Sequence, residues 1–127
     1  MYRDPHQVSA RASLASGALY VISVAARLVE LHPTTLRKYE RVGFLEPSRT
    51  PGRTRLYSRE DIRRLRQIKH LVDEREINLA GVHMALDLTE ALTEIANAID
   101  EAQDVVSLRR RVQAPLRAAF ATLGALE

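Results

Sequence analysis

The residues best suited to chemistry lie in one short stretch. Pro33 is followed by Thr34, Thr35, Arg37, Lys38 and Arg41. Proline is favoured at the first position of a helix, so these side chains fall on a helix's opening turns. A guanidinium at such a place can donate two hydrogen bonds to guanine O6 and N7 together, which makes Arg37 the candidate base contact. Thr34 and Thr35 suit a thymine methyl or a phosphate. Lys38 and Arg41 suit phosphates, contacts that set register without reading sequence. Tyr39 can offer its hydroxyl to a phosphate while its ring packs inward. Arg49, Arg53 and Arg55 crowd around Pro51-Gly52, a strong turn signal. Arg53 and Arg55 stand two apart on a candidate strand and are expected to share a face. Tyr57 beyond them is read as a phosphate ligand or a core plug. Ser23, upstream, is read as a helix cap and a further hydroxyl on the DNA side.

The same inventory excludes other chemistries. The chain has no cysteine, which removes disulfides, thiolate metal sites and cysteine nucleophiles. His6, His32, His70 and His83 match no metal-ligand spacing. No metal and no cofactor is expected. There is no nucleophile elbow, phosphate-cradling glycine loop or convincing carboxylate pair, so no enzyme is expected. No apolar run approaches the ~20 residues of a membrane span, and a cytoplasmic, nucleoid-associated protein without membrane contact is expected. The formal net charge of +3 hides an asymmetry. Residues 1–75 carry 15 Lys and Arg against 8 Asp and Glu, whereas residues 76–127 carry 4 against 8. A basic front and an acidic back suit a polyanion-binding module joined to something else.

The elements that must position these groups are mainly helical. Apolar residues make up 46% of the 127-residue chain and aromatics only 5%, a core better suited to packed helices than to a sheet sandwich. Residues 1–19, rich in Ser, Ala and Arg, are expected to form a flexible tail. A first helix is expected over Ser23–Val29, a turn at Glu30-Leu31-His32, and a second helix from Pro33 to Val42, stopped by Gly43. Two short helices so closely joined read as helix-turn-helix. The segment around Pro51-Gly52 reads as a two-stranded wing. Ser58 and Asp61 resemble a capping box ahead of Ile62, Leu65, Ile68 and Leu71-Val72. Arg63, Arg64 and Arg66 are read as solvated. Asn78 caps a further helix, with Leu79, Val82, Leu86 and His83 on its inner face.

Leu88, Leu92, Ile95, Ile99, Ala102 and Val106 then recur at intervals of 4, 3, 4, 3 and 4, the seam of a coiled coil. One apolar stripe cannot be buried alone, so these six residues are the expected homodimer interface, with packing against the chain's own domain as the alternative. Pro115 cannot sit inside a regular helix without a kink, and a separate short helix is expected from Pro115 to Leu123. The expected organisation is therefore a tail (1–19), a winged helix-turn-helix domain (20–88), a long dimerisation helix in an antiparallel coiled coil (89–113), and a short C-terminal helix or tail (114–127).

Three segments carry a resemblance. Tyr20-Val21-Ile22-Ser23-Val24-Ala25-Ala26, then the run from His32 through Thr35-Leu36-Arg37-Lys38-Tyr39-Glu40 to Leu45, and Arg55-Leu56-Tyr57-Ser58-Arg59-Glu60-Asp61-Ile62 resemble the MerR family of bacterial regulators. Leu31-His32-Pro33 and Ile77-Asn78-Leu79-Ala80-Gly81-Val82 are similar to its heat-shock repressors. The resemblance implies a repressor that binds inverted-repeat double-stranded DNA in chaperone operons, with the Hsp70 chaperone (DnaK) as co-repressor. Apolar Leu116, Ala119, Phe120, Leu123 and Leu126 among Arg109, Arg110, Arg111 and Arg117 would suit an Hsp70 peptide groove if that segment were extended. Two positions depart from the family pattern: Glu30 and Glu76 stand where glycine is usual. A regulator answering another signal, or a J-domain-protein-binding chaperone modulator on the same fold, is the alternative. The basic wing and Arg37 speak against a pure protein binder.

Overall fold

A computed structural model describes residues 17–125, and the chain divides between Arg75 and Glu76 into two compact units. Expectations for residues 1–16 and 126–127, including His6 and Leu126, lie outside the described residues. The first unit runs β1 (Tyr20–Val21), α1 (Ile22–Val29), α2 (Pro33–Arg41), β2 (Ser48–Arg49), β3 (Arg55–Tyr57) and α3 (Arg59–Lys69), which ends in a π-helical turn, His70–Glu74. The second is a helical hairpin of α4 (Leu79–Glu101) and α5 (Val105–Thr122).

Helix α1 begins one residue earlier than the sequence suggests. Val21 is its N-cap and makes no side-chain cap bond, so Ser23 lies within the first turn and is not the cap. The helix ends on Glu30, whose φ of 57° and ψ of 47° are left-handed. Such a conformation crowds a Cβ against the carbonyl and costs about 1–2 kcal/mol in any residue but glycine. Helix α2 starts on Pro33, and His32 caps it: Nδ1 accepts the Thr34 backbone N–H at 3.0 Å. Gly43, with φ of 87°, ends the helix as expected. At α3 the capping box is complete, with Ser58 Oγ accepting from Asp61 N at 3.2 Å and Asp61 Oδ2 accepting from Ser58 N at 2.9 Å.

Among the described residues the sheet has three strands, not two, in the order β1-β3-β2 and antiparallel throughout. Tyr20 pairs with Tyr57 and Val21 with Leu56, while Ser48 pairs with Leu56 and Arg49 with Arg55. The extra strand ties the chain ahead of α1 to the wing. Leu36, Phe44, Tyr57, Ile62, Leu65 and Ile68 are wholly buried. Two basic side chains of α3 close the ends of the preceding helices. Lys69 Nζ donates to the carbonyls of Val29 and Glu30, at 3.2 and 3.3 Å. Arg64 Nε donates to the Phe44 carbonyl. The solvated reading of Arg64 is thereby corrected.

In the second unit, Asn78 caps α4 by accepting from Gly81 N at 2.9 Å. A Cβ at Gly81 would meet Ile77 Cγ2 at 2.5 Å, so any side chain here would force Ile77 to shift. His83, expected to face inward, is exposed. The single dimerisation helix expected over 89–113 is two helices. Helix α4 stops at Glu101, Ala102 is extended, and Asp104 caps α5 by accepting from Ser107 N at 2.7 Å. Arg111 reaches Glu101 across the turn at 2.9 Å. Pro115 lies buried inside α5 and starts no new helix.

The hairpin explains why the apolar seam misled. Residues advance about 100° around a helix. On α4, Ala98 and Ala91 are buried; Ile95 and Leu88 follow round the helix, half-buried; Ile99 and Leu92 come last, at 58% and 62% exposed, and Ala102 lies just past the helix end. Helices α4 and α5 pack on each other along the hairpin. The regular spacing therefore spans two faces, one turned to α5 and one left open. Val106, the last member of the expected seam, sits on α5 instead.

Candidate nucleic-acid interface

Helix α2 presents its cations as the sequence implies. Thr34, Arg37, Lys38 and Arg41 are exposed, and Thr35 is half-buried, while Leu36 and Tyr39 turn into the core. This division follows from the 3.6-residue period: residues 36 and 39 share a face, whereas 34, 37, 38 and 41 lie round the other side. Ser23 is also exposed. Tyr39 keeps 6% of its surface, and its ring lies 5.6 Å from that of Phe44. Burial, with the Asp73 charge added, pushes its hydroxyl above the usual phenol value. It stays neutral and able to donate.

Tyr57 leaves the list of DNA-facing groups. It is 0% exposed, its hydroxyl has no hydrogen-bond partner among the described residues, and burial raises its pKa. Of its two sequence readings, the core plug is the one observed. Helices α1 and α3 pack against β3, and their cover over the sheet face is the reason.

The wing arginines divide differently from the expectation. Arg53 occupies the turn with φ of 69° and is exposed. Its backbone N–H donates to the Thr50 carbonyl at 2.8 Å, and Thr50 Oγ1 accepts from Thr54 N at 3.1 Å. Arg55 is half-buried on β3, so the two do not share a face as strand neighbours would. Its Nε is paired with Glu40 Oε1. Arg49, directly opposite on β2, places Nη2 2.7 Å from Glu40 Oε2. Burial alone would raise the Glu40 pKa, but hydrogen bonds and charge from Arg55 and Arg49 outweigh it and hold the carboxyl below its ordinary 4.5. Sequence reasoning missed Glu40 and left Arg49 without a role. The local pattern holds no sign of contacts that span nine and fifteen residues.

Arg37, Lys38 and Arg41 on α2, and Arg53 on the wing, are thus exposed cations of the first unit. A helix of this kind docks in the major groove while flanking cations meet phosphates. Among the described residues, no His, Cys, Asp and Glu cluster has the grouping to hold a metal ion, and no helix is long and apolar enough to cross a membrane.

Residues 20–89 match the family described as MerR HTH family regulatory protein. The chain is 49% identical over 77 residues to a putative heat shock protein HspR of Streptomyces coelicolor, covering 61% of this chain and 51% of that one. It thus spans about half that relative's length. It is 32% identical over 90 residues to the HTH-type transcriptional regulator GlnR of Bacillus anthracis, covering 71% of this chain and 69% of that one. Against the HTH-type transcriptional regulator MlrA of Escherichia coli the identity is 46% over 70 residues, 28% of that protein.

Proposed function

The chain belongs to the MerR family of helix-turn-helix regulatory proteins, DNA-binding regulators and not enzymes, and from that premise we propose that it represses transcription by binding an inverted repeat as a homodimer. The observation that carries the reading is the solvent-facing set Arg37, Lys38 and Arg41 on α2 beside Arg53 on the wing. Arg37 reads a guanine, with Thr34 and Thr35 beside it. Lys38, Arg41, Arg53 and Ser23 meet the backbone. A twofold protein reads a twofold site. Exposed Leu92 and Ile99 on α4 and Val106 on α5 supply apolar surface for the dimer, with Leu88, Ile95 and Ala102 at its edge.

The genes controlled are those of chaperones, with Hsp70 as co-repressor. The likeness to a putative heat shock protein HspR supports the link to heat shock, and the co-repressor is what the family resemblance implies. The Hsp70 contact falls on α5, where Leu116, Phe120 and Leu123 are exposed. Because α5 is helical through Thr122, an extended-peptide mode requires it to unwind. Footprinting on chaperone-operon promoters, with and without Hsp70, tests the reading. Tighter protection with Hsp70 upholds it. Protection at such promoters that ignores Hsp70 removes the co-repressor, and absence of protection removes the chaperone regulon.

A second reading, a regulator answering another signal, is favoured by one observation. The likeness to GlnR extends over more of both chains than the likeness to HspR. A repeat selected from random DNA that does not occur at chaperone operons would establish it.

A further inference from the structure

Glu40 is oddly placed for a DNA-binding surface. It lies in the last turn of α2, next to Arg41 and three residues after Arg37. Phosphates repel a carboxylate, and the helix macrodipole disfavours an anion at a C-terminus. The wing holds a second oddity. Arg49 and Arg55 are directly opposed on neighbouring strands, an arrangement in which like charges repel. Each oddity resolves the other: one Glu40 oxygen takes Arg49 and the other takes Arg55. The three side chains are only 36%, 27% and 21% exposed for Arg49, Arg55 and Glu40, so the cluster is partly withdrawn from water. Arg49 continues the chain of contacts, because its Nη1 donates to the Arg53 carbonyl at 3.2 Å. A connected path therefore runs from α2 through Glu40 and Arg49 to the backbone of the wing turn.

We propose that Glu40 is a positioning residue for specificity: it locks the wing to the recognition helix and withholds Arg49 and Arg55 from the DNA backbone. This rests on the DNA-binding reading above. The lock fixes the distance between Arg37, which reads a base, and Arg53, which meets a phosphate. It also limits unspecific affinity, since two cations that would otherwise find any phosphate are already paired. Glu40 thus weakens binding to DNA in general and strengthens the discrimination among sequences.

The test uses the full-length chain and the duplex that the wild-type protein selects from a random-sequence library, beside a scrambled duplex. Affinities are measured across a salt series for wild type, Glu40→Gln, Glu40→Asp and Glu40→Gln with Arg49→Ala and Arg55→Ala. Each extra neutralised phosphate steepens the plot of log affinity against log salt by about 0.9. Glu40→Gln is expected to steepen it by about one to two such steps per subunit, to bind scrambled DNA more tightly, and to lower the ratio of selected to scrambled affinity by about tenfold. Glu40→Asp, which keeps the charge, retains part of the ratio. Removing both arginines in the Gln background returns the salt slope to the wild-type value. A uniform loss on both duplexes with an unchanged slope would mean that Glu40 only supports the fold, and would overturn the proposal. So would a Glu40→Gln protein whose slope and ratio match wild type. If the wild-type protein selects no sequence, the DNA-binding reading fails first and the proposal falls with it.

Discussion

The two units finish their surfaces in opposite ways. In the first, side chains close the ends of the elements and join neighbours: His32 caps α2, Ser58 and Asp61 cap α3, Lys69 and Arg64 hold the carbonyls behind α1 and α2, and Glu40 joins α2 to the wing. What it leaves exposed is mainly charge, with Leu19 and Val21 the large apolar exceptions. The second unit caps its two helices with Asn78 and Asp104 just as well, yet leaves Leu92, Ile99, Val106, Leu116, Phe120 and Leu123 in water. A surface of cations is soluble and waits for a polyanion. A surface of leucine and isoleucine on a two-helix hairpin waits for apolar cover. The contrast is the one expected of the proposed division, in which one unit recognises DNA and the other associates.

The largest effect is expected from the association face. Leu92→Asp with Ile99→Asp places charges where side chains are already exposed, so the hairpin should fold and its helix content should persist. Sedimentation should then report monomer. Without the second half-site held nearby, affinity for the selected repeat should fall by about 10²-fold or more. A variant that remains dimeric would move the interface elsewhere. Next comes the reading face: Arg37→Ala should cost about 1–3 kcal/mol on the selected repeat and relax preference at one base position, whereas Lys38→Ala should weaken all sequences evenly and reduce the salt slope by about 1. Titrations on matched and mismatched duplexes separate the two patterns.

Smaller effects come from the scaffold that holds the reading face. Glu30→Gly relieves a left-handed residue and should raise stability by about 1 kcal/mol, the strain exceeding the entropy that glycine adds to the unfolded chain. Urea unfolding measures it, and no gain would mean that the Lys69 contact at 3.7 Å from the Glu30 carboxylate offsets the strain. The smallest expected effect is acid sensitivity. The Glu40 carboxyl is held below its ordinary value, so its share of stability is fully present above about pH 4.5 and is lost as pH falls through the lowered value. The stability difference between wild type and Glu40→Gln should be flat at neutral pH and shrink only in that acidic range.

Much of this was legible because it is written locally. The capping box, the Asn78 cap, Pro33 at the helix start and Gly43 at its end need only residues a few positions apart. The departures at Glu30 and Glu76 were legible too, and both take positive φ, 57° and 53°. What stayed hidden is written through space. Strand β1 is two residues long, too short for any alternation to show. Tyr57 is buried because α1, far upstream, and α3 pack against its strand. Glu40 meets its arginines only once the wing has folded back. The break between α4 and α5 had a local sign, Asp104 with Ser107 three residues on. A heptad spacing that ran on across it concealed that sign.

The most direct test of the central claim repeats the selection from random duplex DNA with two proteins, wild type and Arg37→Ala. Wild type should enrich an inverted repeat carrying a guanine at one position of each half-site. Arg37→Ala should enrich the same repeat with those two symmetric positions no longer fixed. Failure of wild type to enrich a repeat, or an identical motif from both proteins, would contradict the assignment of α2 and Arg37 as the sequence-reading element.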